Sequence, residues 1–135
     1  MSKHKIFSWP TRVYYQDTDA GGVVYHANYV NFMERARTEW LRTFGYSNAG
    51  LMQELGVMFV VRKLELNYLR PALLDDMLDV TAQLKEVGRS RITLEQTVTR
   101  GDELMTVAEV HLVCVGVESF KPVSVPEVLS KHWKI

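Results

Sequence analysis

The chain has 135 residues, of which 47% are hydrophobic, with 16 basic side chains against 16 acidic ones. That length and composition suit one domain with a real core, and they exclude a disordered or fibrous protein. The balanced charge supplies no global field to recruit nucleic acid or an anionic membrane, and no stretch approaches the roughly 20 apolar residues that span a bilayer.

Met1-Ser2-Lys3-His4-Lys5 leads into Ile6-Phe7-Ser8-Trp9-Pro10 without a sustained apolar run, so no signal peptide is expected and the chain reads as cytoplasmic. Neither an internal repeat nor a low-complexity linker divides residues 1–135, which are taken as a single domain. Ile6 to Tyr15 is rich in aromatic and β-branched residues and predicts a first strand, with Pro10 near an edge or bulge.

The next stretch, Tyr14-Tyr15-Gln16-Asp17-Thr18-Asp19-Ala20-Gly21-Gly22-Val23-Val24-Tyr25-His26-Ala27-Asn28-Tyr29, holds two carboxylates, two glycines and a histidine where a strand hands over to a helix. A loop built only to change direction needs turn residues alone, so chemistry is expected here. The first amides of a helix have no intrahelical partners and carry the positive end of its dipole, so they can hold an acyl oxygen.

From Asn28 to Phe44, residues Tyr29, Phe32, Met33, Ala36, Trp40, Leu41 and Phe44 recur at helical spacing opposite Glu34, Arg35, Arg37 and Arg42. A helix of that length would run about 25 Å and end at Gly45. Ser47 to Leu55 predicts a second short helix capped by Ser47 or Asn48 and ended by Gly56. After Gly56 the period changes to two. Met58, Val60, Leu64, Leu66 and Tyr68 are expected on one face of a strand over Val57 to Leu69. Asp75-Asp76 reads as a turn before a strand carrying Leu78, Val80, Ala82 and Leu84. Gly88-Arg89-Ser90-Arg91 marks a bend, then Ile92, Leu94, Gln96 and Val98 share a face, and Arg100-Gly101-Asp102-Glu103 makes a hairpin turn. Leu104 to Val117 is the last long strand, with Ala108, Val110, Leu112 and Cys114 on one face and Glu109, His111, Val113 and Val115 on the other. Pro126 to Trp133 predicts a closing helix. The order is α+β, a helix covered by antiparallel strands, and the partly apolar outer sheet face favours a homo-oligomer.

Asp19, just before the double glycine, is the first catalytic candidate: a general base toward water or a nucleophile toward an activated carbonyl, with an Asx-turn or helix cap as the structural alternative. Asp17 is favoured as structural. His26, at the helix start, can present its backbone N–H to a carbonyl oxygen or orient water with its ring, or it is simply a packing residue. Tyr15 either hydrogen-bonds a catalytic carboxylate or buries its ring. Asp17, Asp19 and His26 lack the second spaced pair that a metal site needs, so no metal is expected. Cys114, the single cysteine, cannot form an internal disulfide, fits a reducing compartment, and reads as a buried inert thiol. Arg89 and Arg91, beside Ser90, are able to grip a phosphorylated handle or merely to be solvated on a sheet rim. No phosphate-binding glycine pattern is present.

The run Val13 to Tyr29, followed by Phe32-Met33-Glu34-Arg35-Ala36-Arg37-Thr38-Glu39, resembles the hot-dog-fold acyl-CoA thioesterases of the 4-hydroxybenzoyl-CoA thioesterase class, in particular their Tol–Pal-associated branch. Weaker similarity continues through Phe59 to Lys63, Tyr68 to Ala72 and Asp75-Asp76. The resemblance implies a long central helix wrapped by a curved antiparallel sheet of five or six strands, and dimers or tetramers with sites at the dimer interface. It implies acyl-CoA hydrolysis, with Asp19 as the catalytic carboxylate, the His26 amide polarising the thioester carbonyl, and Tyr15 contributing. Arg89, Ser90 and Arg91 would meet the coenzyme A phosphates. Coenzyme A belongs to the substrate, so no separate cofactor is implied. The same branch implies acyl carrier protein as a partner and peripheral association with the inner membrane. Rival readings are a hydratase or dehydratase acting beside the thioester, and a carrier-protein-binding role in phospholipid metabolism.

Overall fold

The computed structural model describes residues 4–133. Five antiparallel strands, β1 (Phe7–Arg12), β2 (Val57–Tyr68), β3 (Met77–Val87), β4 (Arg91–Arg100) and β5 (Glu103–Gly116), form one sheet in the order β1-β3-β4-β5-β2. Three helices accompany them: α1 (Asn28–Arg42), the single turn α2 (Asn48–Gly50) and α3 (Glu127–Trp133). The α+β class stands, and the sheet has five strands.

Period-two patterning sets the sheet faces. Leu78, Val80, Ala82 and Leu84 on β3, Ile92, Leu94, Gln96 and Val98 on β4, and Ala108, Val110, Leu112 and Cys114 on β5 are all buried, as the alternation predicts. Onto that face α1 lays Tyr29, Phe32, Met33, Ala36, Trp40 and Leu41. Fully burying one large apolar side chain contributes about 1.5–3 kcal/mol, so this stripe is what docks α1 to the sheet. The core has two halves. Around the first turns of α1, Phe32 and Met33 pack with Leu78, Val80, Val98 and Ala108. Around its last turns, Trp40 and Leu41 pack with Leu84, Leu94, Leu112 and Trp133.

One polar side chain sits in this core, joined to the half-buried Arg37 at its margin. Gln96 is fully buried; its Nε2 donates to the Met33 carbonyl at 3.0 Å and the Thr81 carbonyl at 3.1 Å, while its Oε1 accepts from Arg37 Nη1 at 2.9 Å. Every polar atom of the Gln96 side chain therefore has a partner, which is the condition for keeping an amide in a core. Burial lowers the pKa of the Arg37 guanidinium from its ordinary value, and nearby Glu34 partly offsets this.

Four features differ from the sequence expectation by more than a residue at an element's end. The first strand stops at Arg12 rather than Tyr15, because Val13 turns to exchange hydrogen bonds with Asp75 and Asp76, and Tyr15–Asp17 coils into a 3-10 turn. The central helix has fifteen residues and ends at Arg42 rather than Phe44, since the amides of Thr43 and Phe44 bond to carbonyls three residues back. The second helix is one α turn, capped by Ser47 Oγ accepting from Gly50 N–H at 2.9 Å. It then widens into a π-type turn over Leu51–Leu55 that closes at Gly56, whose φ of 66° suits glycine.

The fourth difference is a β-bulge at Arg62. Phe59 lies opposite Cys114 and Leu64 opposite Val110, so the core-facing positions of β2 switch from odd to even numbers across the extra residue. Met58 and Val60 therefore do not share the face of Leu64, Leu66 and Tyr68, contrary to the simple alternation.

Cys114 lies fully buried in β5, and burial pushes its thiol pKa up to about 11. Its neutral form is favoured by the fold, so this contribution to stability is complete below about pH 9 and is lost as the pH rises toward 11. At pH 8 the native protein is expected to resist a thiol-specific disulfide reagent, with one equivalent reacting only after denaturation. Rapid labelling of native protein would contradict this.

Candidate active site

The segment between β1 and α1 is held in shape by Asp17. Its carboxylate is buried, with Oδ2 accepting from Tyr14 N–H at 2.8 Å and Oδ1 accepting from Asn28 Nδ2 at 2.7 Å. Its carbonyl accepts from Tyr25 N–H at 2.9 Å. One residue thus ties the start of the loop, its end and the first residue of α1, the structural role expected for it.

Beyond Asp17 the chain makes a narrow excursion closed by the Thr18–Val24 bridge. Asp19 stands at its tip, exposed, with Oδ1 accepting from Gly21 N–H at 2.9 Å in an Asx-turn. Its Oδ2 has no hydrogen-bond partner among the described residues. Gly22 follows with a φ of 78°, a conformation that side-chain-bearing residues rarely adopt. The segment 71–76 braces this loop from outside: Val24 N–H donates to the Ala72 carbonyl, Leu74 N–H to the Gly22 carbonyl, and Ala72 N–H to the buried Tyr29 hydroxyl.

His26 lies exposed just before Ala27, the N-cap of α1. Among the described residues no acceptor takes its backbone N–H. Its carbonyl accepts from the Tyr68 hydroxyl at 2.8 Å, and its ring sits between Tyr25, with centroids 4.6 Å apart, and Tyr68, at 6.4 Å. Val24, His26, Tyr29, Tyr68, Leu69 and Arg70 border a cleft of about 280 Å³ at this point. Tyr15 is 82% exposed, so its ring is not buried as a strand tyrosine's would be. Tyr14, Tyr25, Tyr68, Leu69 and Leu73 are exposed as well, and apolar groups gathered around a cleft mark a surface that meets a ligand or a partner.

The second group lies elsewhere. Arg89 Nη1 donates to Ser124 Oγ at 2.8 Å, and the Ser90 carbonyl accepts from Cys114 N–H at 2.7 Å, so both join the bend to neighbouring backbone and tail. Arg91 lines a different cleft, on the outer sheet face. Tyr68 pairs with Thr106 and Arg91 with Val113, which separates the two regions by about 23 Å along β5 at 3.3 Å per residue. Asp19, His26 and Tyr15 all lie on the segment between β1 and α1, with only His26 lining the cleft, and within one chain Arg89, Ser90 and Arg91 do not join them. Among the described residues no group of three or more histidine, cysteine, aspartate or glutamate side chains gathers in a way that could hold a metal.

Sequence reasoning missed Tyr68 as a neighbour of His26 and Arg62 as a neighbour of Arg91. Both contacts depend on strand pairing across long sequence separations. Only the aromatic at the polar end of β2 hinted at the first.

An antiparallel sheet with a helix laid on one face, and a polar loop at the start of that helix, define the class. Residues 13–132 match the model of the Thioesterase-like superfamily, and the chain belongs to that family. It is 47% identical over 130 residues to an acyl-CoA thioester hydrolase, YbgC, of Escherichia coli O6:H1, covering 96% of each chain. It is 46% identical over 121 residues to the acyl-CoA thioesterase YbgC of Haemophilus influenzae, covering 90% of this chain and 89% of that one. A probable thioesterase from Bartonella henselae of known crystal structure superposes with a TM-score of 0.86 at 35% identity, covering 90% of this chain and all of the other.

Proposed function

We propose that this protein hydrolyses acyl-CoA thioesters at the N-terminus of α1. That relatives nearly half identical over almost the whole chain are acyl-CoA thioesterases is the observation that carries the reading. In the proposed reaction the thioester oxygen accepts from the unpaired His26 N–H, where the helix dipole favours developing negative charge. Asp19 supplies its free Oδ2, either removing a proton from water or attacking the carbonyl carbon itself. The carbon–sulfur bond then breaks and the coenzyme A sulfur takes a proton; where water attacked, the free acid leaves directly, and where Asp19 attacked, water hydrolyses the mixed anhydride to release the acid and restore Asp19. In this reading the exposed Tyr15 contributes a hydrogen bond to the catalytic carboxylate. Only substrate and water are consumed, so the reading includes no cofactor.

The reading extends to a homodimer or a pair of dimers. Both edges of the sheet are open in one chain, but β1 carries Pro10 and is six residues long, whereas β2 offers twelve residues with one side of its ladder unpaired. Edge pairing through β2 would extend the sheet and cover the exposed tyrosines beside His26. The motif from Val13 to Tyr29 supports the Tol–Pal-associated branch, and a cytoplasmic setting is part of the same proposal. Among the described residues no helix is long and apolar enough to cross a membrane.

Release of free thiol from a panel of straight-chain and aromatic acyl-CoA esters tests the activity. Turnover of at least one acyl class is expected, and absence of thiol release across the panel would overturn the proposal.

A further inference from the structure

Helix α1 starts without the device that usually fixes a helix entry. Its N-cap is Ala27, and no side chain caps the first turn. The two peptide units flanking His26 are held in other ways. In the first, the Tyr25 carbonyl accepts from Asn28 N–H at 2.8 Å; because a peptide unit is planar with its carbonyl and N–H opposed, the His26 N–H points away from that first turn. In the second, the His26 carbonyl accepts from the Tyr68 hydroxyl at 2.8 Å, a group brought in by the end of β2, 42 residues further along the chain.

The surroundings of Tyr68 make it a firm post. It pairs with Thr106 in the ladder between β2 and β5, and the next two amides, of Leu69 and Arg70, both donate to the Met105 carbonyl, at 2.8 and 3.1 Å. Its ring packs at a steep angle against buried Tyr29, with centroids 5.4 Å apart, and the Tyr29 hydroxyl is itself bonded to Ala72 N–H at 3.0 Å. On its other side the ring stands perpendicular to the imidazole of His26. Tyr68 is nonetheless 48% exposed, so burial in the core does not account for where its hydroxyl is aimed.

We infer that Tyr68 is a positioning residue for the proposed hydrolysis: it stands in for the missing cap, and by holding the peptide after His26 it fixes the direction of the amide before it. Tyr68 touches no reacting atom in this scheme. Rotation about the two backbone torsions of His26 is what would swing its N–H off the thioester oxygen, and with both adjoining peptides bonded neither rotation is free. The inference rests on the thioesterase reading for its reaction, whereas the tie between Tyr68 and His26 is independent of that reading.

The test is Tyr68→Phe, which keeps the ring against Tyr29 and His26 and removes only the hydroxyl. On the acyl-CoA that wild type cleaves best, kcat is expected to fall about tenfold, a smaller loss than removing an oxyanion donor outright, with KM within about twofold and Tm within about 2 °C of wild type. A residue that only packed would leave kcat alone or lower it together with Tm. Nitrogen-15 relaxation reads the tie without turnover: the order parameters of the His26 and Ala27 amides are expected to fall from about 0.85 to about 0.6 in the variant, while those of Val24 and Leu74 stay where they were. An unchanged kcat, or a raised KM at unchanged kcat, would overturn the inference, and so would identical relaxation in the two proteins. Should wild type cleave no thioester, the thioesterase reading fails, and relaxation alone decides whether Tyr68 holds His26.

Discussion

Replacing Asp19 by Asn is expected to lower kcat about a thousandfold, the usual range for loss of a positioned base or nucleophile, equivalent to roughly 4 kcal/mol of barrier. The fold should not notice. Asp19 is exposed, and the one hydrogen bond of its side chain among the described residues is Oδ1 accepting from Gly21 N–H, which an asparagine carbonyl oxygen accepts equally well. What the amide cannot do is take a proton from water or attack a carbonyl. Thiol release measured beside a thermal melt separates the two effects. Turnover within tenfold of wild type, with an unchanged melt, would assign Asp19 to the Asx-turn alone.

Replacing Asp17 by Ala is expected to do the reverse, removing stability first and activity through it. Both carboxylate oxygens are committed, one to Tyr14 N–H and the other to Asn28 Nδ2, and the residue is 5% exposed. Losing two bonds to a buried charge, and leaving two donors unsatisfied, costs about 3 kcal/mol. For a domain of this size that lowers Tm by roughly 10 °C. Asp17→Asn should also destabilise, because a single amide oxygen cannot serve both donors. Asn28 cannot readily flip to compensate, since its Oδ1 already accepts from Asn31 Nδ2 at 2.7 Å. Below its melting temperature the alanine variant should still show reduced kcat, as Asn28, the first residue of α1 and two beyond His26, loses its side-chain tie to the loop. A melt matching wild type would show that the Asp17 side chain does not tie the loop to α1.

Hydrophobic spacing made most of the fold legible. The buried residues of α1 and β3 are those the two periods single out, because burial on one face is a local property of the chain, whereas β4 and β5 also bury Thr93, Met105, Thr106, Val113 and Val115. The bulge at Arg62 was not legible, since a polar residue between Val61 and Lys63 leaves the alternation looking continuous while the pairing slips by one. The loop carrying Asp19 and His26 stood out by its residue types. Its brace by residues 71–76 did not, because those hydrogen bonds join backbone groups that carry no sequence signature. The resemblance assembled Arg89, Ser90 and Arg91 with Asp19 as one site. The register puts them at opposite ends of the strands, and only a ligand or a second chain long enough to bridge them would unite them.

The buried Gln96 has a consequence for how α1 is indexed along its own axis. Greasy side chains decide which side of a helix faces inward, yet they tolerate a small glide lengthwise, because one methyl contact substitutes for another. The three-way clasp among Gln96, Arg37 and the Met33 carbonyl does not, since a shift of an ångström would break directional bonds in a place that water cannot repair. Midway along its length the helix is therefore pegged, and the amide of His26 is delivered at a fixed height above the strands.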